Sequence, residues 1–171
     1  MSNAVEEIYS DISEQNPISC VEDVLADNNW VYSRMNNNEL IVDVAGSVFS
    51  YRICFVWQEN MNSMQVICQM DTSVNEKNRN VAAETLMEIN RSMWLGHFEL
   101  TKSECSPCLR YTCLLQDCDN ASKTYTNIQN IIDICLSQCE QHQNVFQILS
   151  SDELLDLQML SLAMMDTAGE S

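Results

Sequence analysis

The stretch SYRICFVWQENMNSMQVICQM, residues 50–70 of a 171-residue chain, decides the fold. Tyr51, Ile53, Phe55 and Trp57 alternate with Arg52, Cys54, Val56 and Gln58. Successive side chains on a strand point to opposite faces, so this period of two predicts a strand with one aromatic, core-facing side. Met64, Val66, Cys68 and Met70 repeat the alternation after a turn through Glu59-Asn60-Met61-Asn62. So short a connection joins antiparallel neighbours, and residues 50–70 read as the central hairpin of an antiparallel sheet.

Toward the N-terminus, Leu40, Val42 and Val44 share one face of a further strand that stops at Ala45-Gly46. Val31–Met35 reads as another, joined by Asn36-Asn37-Asn38, because Asn tolerates the left-handed angles a turn demands. Ahead of these, Asn16 is the expected N-cap and Pro17 the first helical position, where its missing N–H costs nothing. Ile18, Val21 and Leu25 then follow at helical spacing to about Asn28-Asn29. Residues 1–15 are polar and acidic and are expected to form a flexible arm.

Toward the C-terminus, Ala82, Leu86, Ile89 and Met93 mark one stripe of a helix running to Trp94 and closing at Gly96. His97–Thr101 and Leu109–Gln116 predict a second hairpin, and Tyr125, Ile128, Ile132, Cys135 and Cys139 mark a third helix to about His142. Val145, Phe146, Ile148 and Leu149 read as an apolar connector. Ser150 with Glu153 forms a capping-box pattern for a fourth helix, Asp152 to about Asp166. Apolar residues run nearly all the way round that helix, more than one packed face uses. The expected organisation is an arm over 1–15, an α+β domain over 16–149 and a C-terminal apolar helix and tail over 150–171.

Lys and Arg total 8 against 25 Asp and Glu, a formal net charge of −17. Such a field repels phosphate backbones and anionic headgroups, so neither nucleic acid nor membrane is an expected partner. No basic segment followed by an apolar one opens the chain, and no apolar run approaches the roughly 20 residues that span a bilayer, so a cytoplasmic location is expected. The glycines, Gly46, Gly96 and Gly169, make no phosphate-binding loop.

Nine cysteines, an odd number spread through predicted strands and helices, read as reduced thiols rather than as a disulfide framework. Cys105 and Cys108 are separated by two residues, a spacing that chelates zinc or forms a redox pair. A zinc site wants a second pair, which Cys113 and Cys118 supply imperfectly; a redox pair wants a helix N-terminus, whereas this one falls in a hairpin turn. A thiol-based metal or redox sensor is the alternative reading. Cys135 and Cys139, one helical turn apart on an apolar stripe, read as core. His97 and His142 have no nucleophile pattern beside them, so no catalytic residue, metal site or cofactor is assigned.

Particular residues resemble the YbjN family, regarded as bacterial sensory transduction regulators, and its alphaproteobacterial branch especially. The strongest stretch is Asn90-Arg91-Ser92-Met93-Trp94-Leu95-Gly96-His97-Phe98-Glu99-Leu100, supported by Tyr51-Arg52 with Trp57, by Leu109-Arg110-Tyr111 and by Asp166-Thr167-Ala168-Gly169-Glu170. The resemblance implies an α-β-β-β-α-β-β-α domain similar to type III secretion chaperones, which are acidic, cytosolic and usually dimeric. It implies a non-enzymatic homodimer that holds a protein client or regulatory partner. Trp57, Trp94, Phe98, Leu154, Leu157, Met164 and Met165 are the expected partner-binding residues.

Overall fold

The computed structural model describes residues 16–115 and 120–168; the arm over 1–15, Gln116, Cys118 and the last three residues lie outside the described residues. In chain order come α1 (Ile18–Asp27), β1 (Tyr32–Asn36), β2 (Glu39–Ala45), β3 (Ser50–Gln58), β4 (Ser63–Met70) and α2 (Arg79–Ser92), then β5 (His97–Leu100), β6 (Pro107–Leu114), α3 (Ala121–Gln141), α4 (Gln143–Ser150) and α5 (Leu157–Ala168). The fold is α+β, with one six-stranded antiparallel sheet in the order β1-β2-β3-β4-β6-β5. Four strands precede α2, one more than the resemblance implies, because Tyr32–Asn36 pairs with β2 as an edge strand.

The β3–β4 hairpin sets Tyr51 opposite Met70, Ile53 opposite Cys68, Phe55 opposite Val66 and Trp57 opposite Met64. All eight are buried, so the alternation of residues 50–70 becomes one continuous apolar floor. Leu40 and Val42 of β2 extend it. Onto it pack Ile18, Val21, Val24 and Leu25 of α1 and Ile128, Ile132, Cys135 and Cys139 of α3. Each such aliphatic side chain stabilises the fold by about 1.5–3 kcal/mol on burial. Cys139 Sγ lies 3.6 Å from Cys68 Sγ, where α3 meets β4, so these thiols serve as small core hydrophobes. The other sheet face carries Arg52 bonded to Asp43, and Arg110 bonded to Glu99.

Helix α1 opens close to its expected start: Asn16 Oδ1 accepts the Ile18 N–H at 3.0 Å, and Pro17 is the cap residue. Two readings near the C-terminus are corrected. Residues 143–150 form a helix, α4, rather than a connector, because Val145, Phe146 and Leu149 share one face and are fully buried. Eight residues are too few for that period to stand out beside the end of α3. The fourth predicted helix starts not at Asp152 but at Leu157. Ser151 Oγ accepts the Glu153 N–H and closes a local turn, whereas Asp156 Oδ1 accepts the N–H groups of Gln158 and Met159 at 2.9 and 3.1 Å. The working N-cap is therefore Asp156. Leu154, expected within the helix, stands in the segment before it.

Candidate partner-binding groove

The groove begins at the end of α2. Asn90 faces β5 and treats it as a strand neighbour: its Oδ1 accepts the Phe98 N–H at 2.8 Å and its Nδ2 donates to the Phe98 carbonyl at 3.0 Å. This two-way clamp fixes the last turn of α2 to the first residues of β5. Between them the chain leaves the helix at Met93, whose backbone is extended, and bends at Gly96, φ +72°. Only glycine suits that bend. Its φ is left-handed, and a Cβ there would stand 2.9 Å from the Arg110 carbonyl oxygen. The corner hangs Trp94 in solvent at 98% exposure, with Leu95 exposed beside it.

Helices α3 and α5 complete the enclosure. Ile89, Met93, Trp94 and Leu95, with Ile134, Met164 and Met165, line a groove of about 550 Å³ together with Gln138, Gln141 and His142. His142 is a buried, neutral strut. Its Nδ1 lies 2.9 Å from the Gln138 carbonyl, an acceptor only, so that nitrogen carries the proton. Its ring meets Phe98 edge-on with centroids 5.3 Å apart, and burial pushes its pKa below the ordinary histidine value. Helix α5 buries Leu160 and half-buries Ala163 and Met164, leaving Leu157, Met159, Leu162 and Met165 exposed. A second hollow of about 270 Å³ lies at its N-terminal end, among Ile148, Leu154, Leu155 and Met159.

The structure thus brings together Trp94, Met164 and Met165 of the expected binding residues, with Leu157 and Leu154 on and before the same helix. Leu154 is 98% exposed. Trp57 and Phe98 are elsewhere: at 4% and 2% exposure they belong to the core, Trp57 opposite Met64 and Phe98 against His142 and Phe146, and neither offers surface to a partner. Both sit on strands whose inward side the helices cover, which alternation alone does not reveal. Residues 93 and 95 and the Asn90 clamp were missed as site features, although all three lie in the Asn90–Leu100 stretch. A wider trough of about 810 Å³ at one end of the sheet is lined mainly by hydroxyls and carboxylates, and its Arg52 is already held by Asp43. It lacks an apolar anchor of the kind the groove has.

The Cys105–Cys108 pair is split by its surroundings. Cys105 has a left-handed backbone, φ +52°, in the β5–β6 turn, whereas Cys108 is buried within β6 opposite Glu99. Burial, with Glu99 adding to it, pushes the Cys108 thiol up to about 12, so it stays protonated at neutral pH; the thiolate is the metal ligand and nucleophile. Among the described residues no three His, Cys, Asp or Glu side chains are grouped so as to hold a metal ion. Of the other two candidates, Cys113 lies on β6 opposite Met64, and Cys118 lies outside the described residues. No helix among those described is long and apolar enough to cross a membrane.

An α+β domain with a helix-lined apolar groove at the end of its sheet is the class the geometry defines. The particular family follows from comparison: residues 17–147 match YbjN, described as "Putative bacterial sensory transduction regulator", and the chain belongs to that family. No curated protein matches. A crystal structure of YbjN from E. coli, described as "a putative transcription regulator", is similar at 10% sequence identity and a TM-score of 0.45, covering 74% of this chain and 93% of that one.

Proposed function

We propose that this YbjN-family protein is a non-enzymatic, chaperone-like or regulatory adaptor that grips a protein partner in the groove between α2, α3 and α5. The observation that carries the reading is the fully solvent-exposed Trp94, clamped at a rigid corner beside the exposed Leu95 and Met165. Large apolar groups held out in one contiguous patch mark an interaction surface more than a solvated one. Aromatic anchors beside a groove are where binding energy concentrates. Regulation fits this chemistry better through protein contact than through DNA, since a net charge of −17 opposes approach to a phosphate backbone. On this reading the protein acts in the cytoplasm as a homodimer, a part that its resemblance to acidic, dimeric secretion chaperones supports.

The test is affinity purification from the native cell with the full chain and with Trp94→Ala and Met165→Ser versions. The reading expects one set of captured proteins to disappear with both substitutions while thermal stability holds. Unchanged capture with both removes the groove as the binding site.

A further inference from the structure

We infer that the occupant of this face is a cationic amphipathic helix, a partner segment with one apolar stripe flanked by lysine or arginine; this rests on the reading of the groove as a protein-binding site. The first support is charge. The groove and two further hollows, along α3 and at the N-terminal end of α5, are lined by Glu88, Asp133, Glu140, Glu153 and Asp156 and by no Lys or Arg. The nearest cation along α2 is Arg91, bonded at 2.9 Å to Glu88 itself. His142 adds no positive charge, because burial keeps it neutral. A second copy of the chain would bring the same carboxylates face to face, and like charges across an interface oppose association.

The second support is shape. From Leu157 to Met165 the ridge of α5 carries no charged residue, and the 12-residue helix is about 18 Å long, enough to meet roughly three turns of a partner helix. Trp94 borders one side of this ridge, and Leu154 stands at its N-terminal end. A partner helix presenting apolar groups at i, i+4 and i+7 would seat them along the hollows and project its polar flanks toward the carboxylates. Methionines suit the task, since their flexible, polarisable side chains repack around differently shaped anchors.

The experiment titrates the full chain with three labelled synthetic peptides and reads anisotropy: a leucine/lysine amphipathic helix, its leucine/glutamate counterpart, and a scrambled leucine/lysine peptide of identical composition. The leucine/lysine helix should bind most tightly, lose affinity as salt rises, and weaken by about tenfold or more with Trp94→Ala or Leu162→Ser. Joint Glu88→Gln, Glu140→Gln and Glu153→Gln should weaken it severalfold and flatten the salt dependence. Equal binding of the glutamate helix overturns the inference and leaves the groove as a protein site. Equal binding of the scrambled peptide, indifferent to Trp94→Ala, shows net charge alone and also overturns it. A dimer in sedimentation that excludes every peptide and dissociates with Leu162→Glu assigns the face to a second copy. No binding by a monomer sinks both this inference and the groove reading beneath it.

Discussion

Helices α3 and α5 are both rich in apolar residues, yet they use them differently. Over 21 residues α3 keeps Ile128, Ile131, Ile132, Cys135 and Cys139 on one buried stripe and turns polar groups outward; Tyr125, at its edge, donates a 2.7 Å hydrogen bond to Asp27 of α1. Over 12 residues α5 buries Leu160 and leaves Leu157, Met159, Leu162 and Met165 in solvent. The first helix is satisfied by its own domain. Among the described residues the second leaves more greasy surface in solvent than the first, and on that surplus the proposed partner contact rests.

Substitutions should separate the two helices sharply. The largest effect is expected at the core that α3 and α4 share with the sheet: Phe146→Ala should cost about 3–5 kcal/mol in urea unfolding, since it empties a fully buried site against Phe98. A loss under about 1 kcal/mol would mean that this side of the core is loosely packed. Next comes Leu160→Ala, the anchor of α5 at 5% exposure, with an expected cost of about 2 kcal/mol or more and freer hydrogen exchange along α5. If exchange in α5 does not change, the helix is held by contacts other than Leu160.

Gly96→Ala should cost about 1–3 kcal/mol in urea unfolding, because the left-handed backbone and the Arg110 carbonyl both oppose a Cβ. A loss under about 0.5 kcal/mol would show that the corner shifts to make room for the Cβ. A smaller effect follows from His142. Its folded pKa is depressed, so between that value and the ordinary pKa near 6.5 the unfolded chain binds more protons than the folded one. Stability should be full above about pH 7 and should fall as acid carries the pH through that window, a slope that His142→Gln flattens. Thermal melts between about pH 7.5 and 5.5 read it. The smallest change in stability, within about 0.5 kcal/mol, is expected for Leu162→Ser on the exposed side of α5, although it should strongly weaken partner binding. A large loss of stability there would place that face inside the fold.

The central hairpin, α1, and the inward stripes of α2 and α3 were legible in the residues, because periods of 2 and 3.6 are properties of a chain segment by itself. Start signals carried less. Ser150 and Glu153 have the spacing of a capping box, but Asp156 holds the free N–H groups, and nothing local ranks one capping residue above another. The site was half legible. An apolar run at 154–165 announced surplus surface, and the Asn90–Leu100 stretch contained Trp94, but sequence placed Trp57, Phe98 and Trp94 on an equal footing.

The chain by itself determined an antiparallel α+β domain, its acidic field and a helix with more apolar residues than one contact needs, since composition and periodicity are local quantities. Only the tertiary structure decided that β6 lies between β4 and β5, that Phe98 is sealed under His142 and Phe146, and that Trp94, four residues earlier, is left in water. The physical reason is that burial depends on what arrives from distant parts of the chain to cover a residue, and an aromatic side chain carries no record of whether that cover comes.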